Sequence, residues 1–241
     1  MTLIISAHLG DCIIIAADNR AMRYNLEKKV MRLATNHEQK IKLWCRGAIT
    51  GSGETIFLDR IAQYFINKTD ADTKLKQMNV INNEVERRLS EGIPQKNLFN
   101  NVIIFSMFDG CKTLLYSIPI EPFFQYFEKD GIQMIRPHIH EITDWTVDVS
   151  CFNIPPDMSN LQEFQRNLKP MKYFSNQPEF INYYIQNLKH IFTTHASIDP
   201  SITTSFDLYI QSCKTGNSII MHIPNNTLSS TVGCLKVIEP F

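Results

Sequence analysis

The sequence predicts an α+β protein in which two antiparallel sheets pack face to face between helices, a four-layer αββα sandwich. The strands expected at residues 3–8 and 12–17 are almost continuously apolar, which is typical of strands covered on both faces. Helical patterns come in blocks and do not alternate one by one with strands, as they would around a parallel sheet. Because no repeat, low-complexity tract or flexible linker divides the chain, we expect residues 1–241 to form one domain.

Local patterns justify the elements in chain order. Gly10-Asp11 joins the first two strands as a hairpin, and Gly51-Ser52-Gly53 ends the strand that precedes the first helix. The remaining expected elements are strands at 29–33 and 40–49, helices at 54–65 and 73–89, a hairpin of 101–108 with 112–118 around Asp109-Gly110, a helix at 180–192, and a hairpin of 206–213 with 218–223. Residues 119–178 carry seven prolines and predict only irregular strand and loop.

Composition excludes several classes of function. The 24 Lys and Arg residues balance 24 Asp and Glu residues, so the chain lacks the basic excess of a protein that binds nucleic acid or an anionic membrane. The six cysteines form no Cys-x-x-Cys pair, and His138-x-His140 lacks nearby further ligands, so we expect no metal and no cofactor. Without a signal peptide or an apolar run of about 18 residues, the protein is expected in the cytoplasm.

Three segments in the first third of the chain carry a resemblance. They are Thr2 to Ala21 with its Ala-Ala-Asp18-Asn-Arg-Ala ending, Lys28-Lys29-Val30, and Ala48-Ile-Thr-Gly51-Ser-Gly53. In this order and spacing they resemble the start of a mature proteasome β-subunit or of the related HslV-type bacterial protease, both N-terminal-nucleophile hydrolases. The match covers about the first 65 residues and continues to the end only by the order of elements.

The resemblance implies a catalytic site of Thr2, Asp18, Lys29 and Gly51. A threonine hydroxyl needs a nearby base, and the α-amine of a chain-terminal threonine, with an ordinary pKa of about 7.7–8.0, supplies one. Met1 must therefore be removed before Thr2 can act. Lys29 would sit beside Thr2 and favour the developing alkoxide, Asp18 would keep Lys29 charged, and the Gly51 N–H would donate to the oxyanion.

The resemblance also implies a substrate pocket beside Thr2, lined by Ala21, Glu27, Met31, Ile49 and Gly53. Most of these residues favour an apolar side chain on the acyl side of the cut bond. Glu27 complicates this expectation, because a carboxylate at the pocket floor would prefer Lys or Arg, whereas one at the rim would leave the apolar preference intact.

Two departures from the family pattern keep other functions open. No glycine occurs between Gly131 and Gly216, so the Gly-Ser-Gly segment of active members is missing, and Ile202 stands three residues after Asp199, where the family has serine. The alternatives to a peptidase are a ring or scaffold protein without activity and an amidohydrolase acting on a small amide. If the protein is a peptidase, the resemblance implies that it forms a homo-oligomeric ring of six or seven subunits. It also implies a peptide or unfolded-protein substrate and a separate ATPase unfoldase.

Overall fold

The computed structural model describes residues 2–25, 30–67, 74–124, 137–151, 157–224 and 236–238. Within these ranges the strands are β1 (Leu3–His8), β2 (Cys12–Asp18), β3 (Ala21–Asn25), β4 (Val30–Thr35), β5 (Lys42–Trp44), β6 (Gly47–Ser52), β7 (Val102–Phe108), β8 (Thr113–Pro119), β9 (His140–Glu141), β10 (Thr146–Cys151), β11 (Phe206–Ser212), β12 (Ser218–Ile223) and β13 (Lys236–Ile238). The helices of the same ranges are α1 (Thr55–Asn67), α2 (Lys74–Ser90), α3 (Gln95–Phe99), α4 (Ser159–Arg166) and α5 (Gln177–Ile198).

The larger sheet has six strands in the order β10-β1-β2-β11-β12-β13, and its neighbouring strands are antiparallel. The hairpin predicted at the start of the chain is confirmed, with Ile4 opposite Ala17 and the turn closed by Leu9 N–H donating to the Cys12 carbonyl at 2.9 Å. Every residue of β1 and β2 is buried, which explains why their sequences are almost continuously apolar. The middle of this sheet therefore fixes the positions of the residues at the strand ends, such as Thr2 before β1 and Asp18 at the end of β2.

The second sheet has five strands in the order β5-β6-β7-β8-β9, and β3 pairs separately with β4. The single strand predicted at 40–49 is wrong, because the chain reverses at Cys45-Arg46 and forms the hairpin β5–β6 with Trp44 opposite Gly47. Neither loop residue is Gly, Asn, Asp or Pro, so the sequence carries none of the usual signals of a two-residue turn.

The region predicted as irregular strand and loop contains regular elements in its described parts. β10 pairs along the full length of β1, from Leu3 opposite Cys151 to His8 opposite Thr146. α4 follows and buries Leu161 and Phe164. α4 is short and most residues of β10 are only half-buried, so neither element has a strong periodic pattern of apolar residues. For this reason the sequence did not predict them.

Three buried clusters account for most of the apolar residues. The first combines β1, β2, β11 and β12 with α4 and α5, and the second combines β6, β7 and β8 with α1 and α2. The third contains residues of both sheets, Ile4, Ile15 and Tyr209 from the six strands and Ala48, Ile104 and Leu115 from the five. Each sheet thus has helices against one face and shares apolar contacts with the other sheet. No helix within the described residues is both long and apolar enough to cross a membrane.

Replacing Phe192 by Ala is expected to destabilise the protein by about 3–5 kcal/mol, because a fully buried aromatic ring would leave a cavity. The ring stacks on Phe206 at 4.5 Å between centroids, and Phe206 pairs with Asp18 across β11 and β2. Urea unfolding of the variant measures the loss.

The matched control is Tyr173→Ala, because 72 % of Tyr173 is exposed. We expect that variant to change the free energy of unfolding by less than about 0.5 kcal/mol. Equal losses in the two variants would contradict the assignment of Phe192 to the core.

Candidate active site

Thr2 stands immediately before β1 and is only 8 % exposed. The backbone on its carboxyl side is fixed, because Leu3 N–H donates to Asp18 Oδ1 at 2.9 Å and Leu3 lies opposite Cys151 in the neighbouring strand. The position of Thr2 is thus determined by two adjacent strands and one buried carboxylate.

Asp18 ends β2 and has no exposed surface. Its Oδ1 accepts from Leu3 N–H and from Lys40 Nζ at 2.7 Å, while its Oδ2 accepts from Arg20 N–H at 2.9 Å. A buried carboxylate is stable only when it is paired and hydrogen-bonded, and Asp18 meets both conditions. The carboxylate therefore joins the start of β1, the end of β2 and the chain before β5.

Lys40 supplies the cation of this ion pair, with only 10 % of its side chain exposed. Burial lowers the pKa of Lys40, and the Asp18 carboxylate opposes that shift. The chain near Lys40 is fastened to the end of β2, because Glu38 N–H donates to the Asn19 carbonyl at 2.9 Å and Asn19 Nδ2 donates to the Glu38 carbonyl at 3.2 Å. We call this pair of bonds the Asn19–Glu38 clasp.

Lys40 was missed by the sequence reasoning, which assigned the role to Lys29. Lys29 and Glu27 lie outside the described residues, and so does the side chain of Met31 in β4. The prediction for Lys29 is therefore untested, and Lys40 is the lysine that the structure pairs with Asp18 within the described residues. The sequence carries no signal for Lys40, because the β5–β6 hairpin that follows it has no typical turn sequence.

A cleft of about 690 Å³ opens beside Thr2. Its lining includes the predicted residues Thr2, Ala21, Ile49, Gly51 and Gly53, so the structure brings these five together. It also includes charged residues that the sequence reasoning did not name, among them Arg20, Glu38, Lys40, Lys42 and Asp59. Asp18 lies behind the cleft and acts on it through Lys40.

Gly51 lies where β6 leaves the five-stranded sheet, opposite Ile103. A Cβ at Gly51 would come within 2.7 Å of the Val102 carbonyl oxygen and within 2.5 Å of a Leu58 methyl carbon, so the position has no room for a side chain. The adjacent Ser52 shares a short hydrogen bond with Ser150, whose neighbour in β1 is Ile4. This bond connects the two sheets beside Thr2 and so helps to fix the distance between Gly51 and Thr2.

The residues after α5 form a turn next to the same strands. Ser201 donates to Asp199 Oδ1 from its N–H at 2.8 Å and from its hydroxyl at 2.5 Å, and Thr203 Oγ1 accepts from Asn19 N–H at 3.0 Å. Ile202 is buried in the core of the six-stranded sheet, so the position at which the family has serine serves packing in this chain. Two hydroxyl residues of this turn, Ser201 and Thr203, flank Ile202.

The arrangement suits acyl transfer at Thr2. A hydroxyl-bearing residue, a buried lysine and a glycine that permits close backbone approach line one cleft. In the described part of the chain, His, Cys, Asp and Glu side chains form no group of three or more that could hold a metal ion.

The sequence matches no family model and no curated protein. Solved structures do match. The Gly-1 mutant of Anbu from Hyphomicrobium sp. strain MC1 superposes with a TM-score of 0.56 at 15 % identity, covering 99 % of this chain and 88 % of that one. Anbu, described as an ancestral β-subunit, from Yersinia bercovieri gives a TM-score of 0.55 at 11 % identity, covering 87 % of this chain and 81 % of that one.

A third match is BPH of Thiobacillus denitrificans in complex with epoxomicin, with a TM-score of 0.56 at 11 % identity, covering 89 % of this chain and 100 % of that one. At these identities the similarity concerns the fold alone. The expected resemblance is confirmed for the fold alone: the chain has a proteasome-like fold.

Proposed function

We propose that the protein is a threonine peptidase that cleaves peptide bonds with Thr2 as its nucleophile. The observation that carries the proposal is the buried Lys40–Asp18 ion pair beside a cleft lined by Thr2 and Gly51. A buried pair of opposite charges next to a hydroxyl residue provides a fixed positive charge where an alkoxide would form. In this proposal Lys40 takes the role that the sequence suggested for Lys29.

The reaction begins with proton transfer from the Thr2 hydroxyl to the Thr2 α-amine, directly or through a water. The oxygen attacks the substrate carbonyl carbon, and the oxyanion that forms accepts a hydrogen bond from Gly51 N–H. The ammonium then gives its proton to the leaving nitrogen as the C–N bond breaks. This leaves an ester on Thr2, which water hydrolyses with the same amine as base.

The proposal includes a four-layer αββα arrangement of the two sheets and their helices. Three apolar clusters, two between a sheet and helices and one shared by both sheets, support the arrangement of four layers. A homo-oligomeric ring, a separate ATPase unfoldase and a cytoplasmic setting remain predictions from the resemblance, as do peptide or unfolded-protein substrates.

A second candidate, a scaffold that has lost activity, is favoured by one observation. Ile202 belongs to the core of the six-stranded sheet and carries no hydroxyl toward Thr2. An amidohydrolase acting on a small amide would use the same chemistry at Thr2 and would differ only in what the cleft accepts. The experiments below separate the three functions.

Removal of Met1 is expected to switch on hydrolysis, because the Thr2 nitrogen becomes a basic amine only when the preceding peptide bond is cut. Intact mass identifies the two forms, and a fluorogenic peptide assay compares their rates. Thr2→Ala in the Met1-free form should abolish the activity. Equal rates in forms with and without Met1 would contradict the terminal-amine mechanism.

Asp18→Asn is expected to move the high-pH limb of the kcat profile to lower pH. Because burial lowers the pKa of Lys40 and the Asp18 carboxylate raises it, loss of the carboxylate lets Lys40 lose its proton at a lower pH. The ammonium that assists the alkoxide then disappears earlier, while asparagine still offers Oδ1 to Leu3 N–H. Profiles of kcat against pH for the two proteins measure the shift.

Two lysine variants serve as controls for this shift. Lys40→Met should remove the high-pH limb and lower kcat across the profile, whereas Lys29→Met should keep the limb. The opposite pair of results would return the role to Lys29.

The acyl-side preference is expected to be apolar, since Ala21 and Ile49 line the cleft. Lys42 lies opposite Ile49 in the β5–β6 pair, and its Nζ lies 3.8 Å from Glu38 Oε1, so part of its charge is already balanced. A panel of fluorogenic peptides that differ only at this residue tests the preference with Met1-free protein.

Cleavage mainly after Lys or Arg, reversed by Glu27→Ala, would contradict the apolar preference and assign Glu27 to the pocket floor. Cleavage mainly after Asp or Glu, lost in Lys42→Met, would also contradict it and assign the choice to Lys42. Thr2-dependent cleavage of small amides alone would favour the amidohydrolase, and no Thr2-dependent cleavage in assembled protein would favour the scaffold.

A further inference from the structure

The turn that carries Gly51 continues through Gly53 into α1. Two side chains that do not line the cleft hold this turn in place. Gly53 has a φ of 133°, a conformation that residues with a Cβ rarely adopt. Nothing in the strand β6 itself imposes that conformation, because the sheet pairing ends with Ser52 opposite Val102. The shape of the Gly51–Gly53 turn must therefore be set by what surrounds it.

Asn101 is the first of these side chains. It lies just before β7, is 1 % exposed, and its Oδ1 accepts from Glu54 N–H at 2.8 Å. A Cβ at Gly53 would come within 1.6 Å of the same Oδ1, so Asn101 packs directly against the turn. Its own backbone is fixed by bonds to Leu98 and Ile120.

Arg88 is the second. It extends from α2, its side chain is 6 % exposed, and it binds Glu54 with two parallel bonds, Nε to Oε2 at 3.1 Å and Nη2 to Oε1 at 3.0 Å. The Glu54 carboxylate also accepts from the N–H groups of Ile56 and Phe57 at 3.3 and 2.8 Å, and so closes the first turn of α1. Glu54 is therefore held at its backbone by Asn101 and at its carboxylate by Arg88.

We propose that Asn101 and Arg88 are positioning residues that hold the Gly51–Gly53 turn in shape, so that they set the rate of the chemical step without touching substrate. The proposal deepens the proposed function and rests on it. A bidentate, nearly buried arginine–carboxylate pair restricts both orientation and distance, which a single hydrogen bond does not. Only Ser52 and Gly53 lie between Gly51 and Glu54, so a shift of Glu54 is passed through two residues to the oxyanion-binding N–H.

Three variants of Met1-free protein test the proposal. Asn101→Leu keeps the branching of the side chain and removes the acceptor, Arg88→Met keeps the aliphatic stem and removes the bidentate bonds, and Arg88→Lys keeps the charge with a single donor group. The matched control is Arg87→Met, because Arg87 belongs to the same helix and bonds Glu91 but makes no bond to Glu54.

We expect Asn101→Leu and Arg88→Met to lower kcat by about 10- to 100-fold with KM nearly unchanged, because a misplaced oxyanion donor acts on the transition state alone. Arg88→Lys should recover part of the loss, and Arg87→Met should behave as wild type. A peptide aldehyde, whose hemiacetal with Thr2 imitates the tetrahedral intermediate, should lose affinity in proportion to kcat. A purely structural role would instead lower the thermal midpoint and leave kcat per folded active site unchanged.

Hydrogen exchange at the amides of residues 51–57 provides a readout that does not depend on activity. Faster exchange there in Asn101→Leu and Arg88→Met, but not in Arg87→Met, is expected. Unchanged exchange, or unchanged kcat in a wild-type protein whose hydrolysis requires Thr2, would overturn the inference. If Thr2→Ala hydrolyses as well as wild type, the proposed function fails, and hydrogen exchange alone then decides whether these residues hold the turn.

Discussion

The buried carboxylate of Asp18 is the interaction on which the candidate site depends. Its two oxygens bind one side chain, Lys40, and two backbone amides, those of Leu3 and Arg20. Breaking a buried ion pair by removing one partner typically costs about 3–5 kcal/mol, because the remaining charge stays desolvated. The ion pair is therefore unlike a surface salt bridge, which solvent would replace at little cost.

The location of Asp18 at the end of β2 explains why a single carboxylate can bind Leu3 N–H, Arg20 N–H and Lys40 Nζ at once. β2 lies between β1 and β11, so its end is held by ladder bonds on both sides. The six-stranded sheet supplies Thr2 and Asp18 from adjacent strands, and the five-stranded sheet supplies Gly51. The Ser52–Ser150 bond and the shared apolar cluster hold the two sheets in a fixed position relative to each other. The geometry of the candidate site thus depends on two packed sheets and not on one loop.

Much of the fold could be predicted because its strands are buried on both faces and its longer helices are amphipathic. β1, β2, α1 and the β7–β8 hairpin follow directly from such patterns. The hairpin β5–β6 could not be predicted, since Cys45-Arg46 is not a typical turn sequence, and α4 is too short for its period to be read. In the candidate site, the resemblance named Thr2, Asp18 and Gly51 from segments whose order and spacing match the family, and the structure places Thr2 and Gly51 in one cleft.

Lys40 could not be found in that way, because spacing fails once a loop of unknown length intervenes. The pairing that identifies it is a contact between distant residues, and a motif of neighbouring letters does not encode such a contact. The same holds for Arg88 and Asn101, which approach Glu54 from other elements.

The Asn19–Glu38 clasp has a consequence for how this chain can vary. Asn19 and Glu38 lie side by side, joined by one backbone bond and one bond from the Asn19 side chain, so the segment between them begins and ends at nearly the same point. Insertions or deletions within this segment would alter the wall formed by Ala21 and its neighbours but would leave Lys40 where it is. Part of the cleft wall thus belongs to a segment that can change in length, while Asp18 and Lys40, far apart in sequence, remain 2.7 Å apart in space.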